Sequence, residues 1–163
     1  MSYVISFSTF ILKPVLVENR ILTYVVERDK EFELPHKPIY VVKSSSSFYG
    51  SSFQLLTNTA KLLLGNVHKT PILLAHAYDT PCILIPTLSP YSDQNVWINY
   101  HAIDYIESDE LGCVVHFENN KKIRLNNSAS SMFRQYALAR FLEKDFLKKQ
   151  QSLNKSAYLF KPE

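Results

Sequence analysis

The sequence predicts an α+β domain, mainly antiparallel β-sheet with two short helices and one long C-terminal helix, and three observations carry that expectation. Apolar residues alternate with polar ones through several short segments of the first 125 residues, the spacing of strands with one buried face. Turn-forming residues separate those segments at short intervals, which joins neighbours antiparallel. Toward the C-terminus the apolar spacing changes to that of a helix, through Met132, Tyr136, Ala139, Leu142 and Phe146. With 163 residues, 46% hydrophobic and 13% aromatic, the chain is long enough for one core and too apolar for a disordered polymer.

Taken in order, Tyr3, Ile5, Phe7 and Ile11 share one parity and read as a strand. Arg20 to Glu33 continues the pattern with a turn at Asp29-Lys30, so the N-terminal region reads as two or three antiparallel strands. Pro35 and Pro38 break it, and Pro38 opens a short helix, Ile39 to Lys43, before the run Ser44 to Ser47. Thr57 to Leu64 reads as a second helix, stopped by Gly65-Asn66. Pro71 to Ala77 and Cys82 to Thr87 form a hairpin through Tyr78-Asp79-Thr80-Pro81. Asn95 to Ile106 reads as one aromatic-rich strand. Cys113 to Phe117 and Lys122 to Leu125 flank Glu118-Asn119-Asn120-Lys121, a second hairpin. Asn127 or Ser128 caps the long helix, which runs to about Gln151 and packs on the sheet. The organisation expected is a single domain over residues 1–151 and a C-terminal tail over 152–163.

The sequence also argues against several chemistries. Three glycines, Gly50, Gly65 and Gly112, cannot supply the loops that bring backbone to dinucleotides or nucleoside triphosphates. Cys82 and Cys113 form no C-x-x-C pair and sit in apolar runs, which predicts buried reduced thiols. His36, His68, His76, His101 and His116 are dispersed without metal-ligand spacing, so no metal and no cofactor is expected. No G-x-S-x-G elbow is present, and Asp104/Glu107 and Asp109/Glu110 lie near an exposed turn, where burial does not tune a carboxylic acid. The expectation is a protein that is not an enzyme. The apolar first twelve residues lack a basic leader and are cut by Lys13, and no stretch is long enough to span a bilayer, so neither a secretory signal nor membrane contact is expected.

The formal net charge of +3 conceals a strong asymmetry. Residues 1–77 carry eight basic and five acidic groups, +3; residues 78–120 carry seven acidic groups and no lysine or arginine, −7; residues 121–163 carry ten basic and three acidic groups, +7. The basic portion begins at Lys121, Lys122 and Arg124 and continues as Arg134, Arg140, Lys144 and Lys148. Arg140, Lys144 and Lys148 are spaced by four and lie on one helical face away from the apolar stripe. Such a stripe suits phosphate neutralisation, and it equally suits a solvated helix face balanced by the acidic segment. The acidic segment reads either as solvated surface or as the surface through which protomers pair.

Four blocks carry a resemblance: Phe48-Tyr49-Gly50-Ser51-Ser52-Phe53, His68-Lys69-Thr70-Pro71-Ile72, Ile85-Pro86-Thr87-Leu88-Ser89 and Val96-Trp97-Ile98. Their order and spacing, the hairpin Phe117 to Leu125 and the helix start Phe133-Arg134-Gln135-Tyr136 resemble the ComK-type competence transcription factor family over roughly residues 35 to 145. The resemblance implies a cytoplasmic bacterial activator that binds paired A/T-rich boxes in double-stranded DNA as dimers assembling into a tetramer, and that recruits or stabilises RNA polymerase at genes for DNA uptake. Minor-groove reading is physically apt, because a narrow A/T-rich groove concentrates negative potential. On this reading Lys69, Lys121, Lys122 and Arg124 touch phosphate or the minor groove, and Arg134, Arg140 and Lys144 extend the patch. Ser51 and Ser52 either cap a helix or contact phosphate, and Phe48, Tyr49, Phe53 and Trp97 are core aromatics. The ending Tyr158-Leu159-Phe160-Lys161-Pro162 resembles the family segment through which an adaptor delivers the protein to a Clp protease. The chain departs from the family where Ser44 to Ser47 and Leu55-Leu56-Thr57 replace basic residues around the aromatic-glycine block. That departure keeps a second reading open, a relative without DNA affinity that acts through protein contacts, by pairing with another family member or by binding the adaptor.

Overall fold

Short strands build two antiparallel sheets, with helices covering their apolar faces; burial alternates along Gly112–Phe117 and Lys122–Leu125, whereas residues 81–86 are buried throughout. The computed structural model describes residues 2–159, with side chains through Lys155. The larger sheet contains β1 (Thr9–Val17), β2 (Arg20–Glu27), β3 (Glu31–Leu34), β4 (Ile72–Ala77), β5 (Thr80–Pro86) and β6 (Trp97–Asn99), in the order β3-β2-β1-β6-β5-β4. The smaller contains β7 (Ile103–Asp109), β8 (Gly112–Phe117) and β9 (Lys122–Leu125), in the order β7-β8-β9. Helices α1 (Pro38–Phe48) and α2 (Phe53–Leu64) follow β3, and α3 (Ala129–Leu159) ends the described chain. This is the α+β architecture the patterning predicts.

One buried cluster joins Phe10, Ile98, Val115, Phe117 and Met132, so both sheets and the start of α3 share it. A second centres on Trp97, with Leu12, Val25, Val42 and Phe53 under the two short helices. Met132 and Ala139 are fully buried along the core face of α3, as the helical spacing predicts. Gln135 lies in the same stripe, and its Nε2 donates to the carbonyls of Lys69 at 2.8 Å and Pro86 at 3.0 Å. A buried amide is tolerated there because its donors are satisfied.

Five local expectations are corrected. Phe53 and Trp97 are buried, but Phe48 and Tyr49 are not core aromatics: both are exposed at the end of α1. The first strand begins at Thr9, not near Tyr3. Ile5 is nonetheless buried; its N–H donates to Ser45 Oγ at 3.0 Å and its carbonyl accepts from Tyr49 Oη at 2.7 Å, so side chains replace a strand ladder. The serine run does not follow α1 but lies within it, because Ser45 and Ser46 are small enough to pack inside and their hydroxyls are paired, Ser46 donating to Val42 O at 2.8 Å. The segment from Asn95 to Ile106 is divided by a 3-10 turn, Tyr100–Ala102, where the chain leaves one sheet for the other. Asn99 makes that crossing: its Oδ1 accepts from His101 N at 3.1 Å while its Nδ2 donates to Thr9 O at 3.0 Å. Helix α3 continues past Gln151 to Leu159, so Tyr158 and Leu159 are helical; Phe160 and Pro162 lie outside the described residues.

Ser52 is the N-cap of α2, its Oγ accepting from Leu55 N at 3.1 Å. Replacing it with alanine is expected to lower stability by about 1 kcal/mol, read as a reduced urea midpoint, whereas Ser52→Asp preserves the cap and the midpoint. An alanine variant with an unchanged midpoint would refute the capping role. Among the described residues, no helix is long and apolar enough to cross a membrane.

Candidate nucleic-acid interface

The cations of the C-terminal third divide into tied and untied groups. Lys121 Nζ donates to Glu27 O at 2.8 Å and pairs with Glu31 at 3.3 Å, which fastens the β8–β9 turn to the larger sheet. Hydrogen bonds from Tyr24 and Lys121 hold the Glu31 carboxyl below its ordinary range. Arg124 pairs with Asp109 across the smaller sheet, and its hydrogen bond lowers the Asp109 carboxyl likewise. Lys69 Nζ donates to Ser131 Oγ at 3.1 Å and so ties the loop before β4 to the first turn of α3. Lys122 is exposed and sits across the ladder from His116, whose ring stacks on Tyr105 at 4.2 Å and whose Nε2 lies 3.1 Å from Glu107. The outer face of the smaller sheet therefore mixes cations with carboxylates.

Helix α3 is different. At 100° per residue, Phe133, Arg134, Ala137, Arg140, Phe141, Lys144 and Lys148 fall on the face opposite Gln135, Ala139 and Leu142, and all seven are exposed. Arg134 to Lys148 spans about 21 Å of helix. No ion pair engages Arg134, Arg140, Lys144 or Lys148 among the described residues. The two carboxylates of the helix are directed elsewhere: Glu143 accepts from Tyr100 Oη at 3.0 Å and lies 3.3 Å from His101 Nε2, and Asp145 pairs with Lys149 at 2.9 Å.

Of the sequence candidates, Arg134, Arg140 and Lys144 thus share one uncompensated face, and Lys69 is anchored at its N-terminal end. Lys121 and Arg124 serve ion pairs within the fold, and Lys122 stands on the mixed sheet face. Ser51 and Ser52 belong to the α1–α2 link. Two residues of the α3 face escape the charge count, Phe133 and Phe141, which are 53% and 59% exposed. Their signal was readable: they repeat at a helical spacing with Ala137 between them, off the core stripe.

A cleft of about 720 Å³ between β1 and the segment leading into α3 is lined by Lys13, Leu16, Asp93, Arg124 and Asn127 among others and holds no histidine or cysteine. Burial pushes the Cys82 thiol up to about 12 and raises that of Cys113, so both stay protonated at neutral pH.

The chain is thus an α+β domain whose last helix presents a row of exposed cations without ion pairs among the described residues, beside a small sheet in which Arg124 pairs with Asp109. Residues 1–151 match the family model described as ComK protein, and the chain belongs to that family. It is 27% identical over 146 residues to the competence transcription factor of Bacillus subtilis (strain 168), an alignment covering 89% of this chain and 75% of that protein. No solved structure matches it.

Proposed function

We propose that the chain is a transcriptional activator of bacterial competence genes that binds A/T-rich double-stranded DNA, contacting phosphates through Arg134, Arg140, Lys144 and Lys148 on α3. The observation that carries this reading is the row of four cations without a counter-charge on one helical face. Family membership and the name of the Bacillus subtilis relative support the regulatory role. Lys69 and Lys122 extend the contact as secondary cations, and the narrow minor groove of A-tracts offers the potential they read. The serine departure weakens the surface less than the sequence suggests. Ser45 and Ser46 are buried, so only Ser44 and Ser47 reach solvent there.

Paired boxes call for more than one copy. The exposed carboxylates Asp104, Glu107 and Glu110, on and beside edge strand β7, are the counter-surface we assign to protomer pairing, and RNA polymerase is the further partner an activator requires. The adaptor reading of Tyr158, Leu159, Phe160 and Pro162 remains part of the proposal as a separate C-terminal function.

A gel-shift titration with a duplex carrying two spaced A-tracts tests the reading. Four phosphate contacts predict that log K falls with log salt at a slope of about −3.6. Absence of retardation at micromolar protein and low salt would replace DNA binding with the reading through protein contacts.

A further inference from the structure

We infer that the outward face of α3 is also a docking surface for an acidic amphipathic helix of a partner protein. The cations explain only half of that face. Phe133, Ala137 and Phe141 follow one another at intervals of four and form a single apolar ridge down the middle of the exposed side. Both phenylalanines are more than half exposed, and with Ala137 they make one contiguous apolar row rather than scattered single residues, the arrangement that marks an interaction surface. Phosphate neutralisation has no use for them.

The shape of the ridge specifies a helix. Phe133 and Phe141 stand about 12 Å apart, two turns, with the small Ala137 in the gap. A large-small-large row at intervals of four accepts one side chain of a second helix beside the alanine, as i±4 ridges pack into grooves. An extended strand would instead need an unpaired main-chain edge, which an α-helix does not offer. The rim specifies the charge. Arg134 flanks one side of the ridge and Arg140, Lys144 and Lys148 the other; Asp145, the next position of the row after Phe141, is paired with Lys149 at 2.9 Å and leaves these four cations without a partner among the described residues.

A second copy of this chain does not fit the description. Pairing the same faces opposes cation to cation. Helices α1 and α2 contain no acidic residue, and the acidic residues between 78 and 120 sit on strands and turns. The occupant is therefore an acidic amphipathic helix from a different protein, in the helix-in-groove mode. Such a helix and DNA draw on the same cations.

The test uses the full chain and no DNA, so it fails or succeeds independently of the gel shift. The probe is a fluorescein-labelled synthetic 21-residue peptide with leucine at heptad positions a and d and glutamate, glutamine and alanine elsewhere, compared with a peptide of identical composition whose leucines are dispersed. Fluorescence anisotropy is expected to show the patterned peptide binding at least tenfold more tightly than the dispersed one. The F133S/F141S variant and the R140E/K144E variant each lose at least tenfold for the patterned peptide. Ala137→Trp, an exposed substitution that fills the gap and leaves the core untouched, loses as much, and its unchanged thermal transition shows that folding is intact. Equal binding of the two peptides, or binding that survives both F133S/F141S and A137W, would overturn the inference.

Discussion

The Arg140→Glu, Lys144→Glu double variant is expected to lose retardation of the A-tract duplex at concentrations that saturate the unaltered chain, while its thermal transition stays in place. Both side chains are exposed and make no ion pair among the described residues, so replacing them disturbs nothing inside the fold, and surface changes of this kind fall within about 0.5 kcal/mol. The functional cost is larger because two attractive phosphate contacts become two repulsive ones. The milder Arg140→Ala, Lys144→Ala pair separates charge from shape: it should reduce the salt slope by about 2 units and weaken all duplexes alike. Lys121→Ala is the informative contrast. Its ammonium already serves Glu27 O and Glu31, so its loss should lower the urea midpoint and leave the salt slope nearly unchanged. If the double reversal shifts the duplex as the unaltered chain does, the helix face is not the DNA surface.

Gly112→Ala is the second large effect, on stability. Gly112 has φ +153°, and a Cβ built there stands 2.1 Å from Leu125 O and 3.0 Å from Asn126 C. Both neighbours are main chain at the end of β9, so neither can rotate aside. Strain and overlap together are expected to cost about 3 kcal/mol or more in urea denaturation. The damage falls at the start of β8, which carries Cys113, Val115 and Phe117 into the core under α3. Gly65→Ala is the control, because Gly65 has φ +83° but nothing within 4 Å of its Cβ position. Only the backbone, at φ +83° and ψ −166°, is penalised there, by about 1 to 3 kcal/mol. Equal losses at the two positions would show that the close approach to Leu125 is not what demands glycine at 112.

Elements whose signal is local were legible in advance. The β8–β9 hairpin needed only asparagine at a left-handed position, and Asn120 has φ +61°. The stop after α2 needed only Gly65, and the core face of α3 needed only its apolar spacing. Where the expectation failed, a distant partner decided the outcome. The serine run reads as a helix end until Ser45 is seen accepting from Ile5, forty residues earlier in the chain. Tyr3 to Phe7 reads as a strand because burial at alternate positions looks the same whether a ladder or side-chain hydrogen bonds hold the backbone. The break at Tyr100 follows from Asn99 reaching back to Thr9.

By itself the sequence determined the α+β class, most of the hairpins, the family and the division of charge into +3, −7 and +7, because each depends on residues close in the chain or on a simple count. Only the tertiary structure decided which of those charges are available. An ion pair is a contact in space, so Lys121 and Arg124 are claimed by Glu31 on β3 of the larger sheet and by Asp109 on β7. Arg134, Arg140, Lys144 and Lys148 are left unclaimed because α3 turns its own carboxylates toward Tyr100, His101 and Lys149.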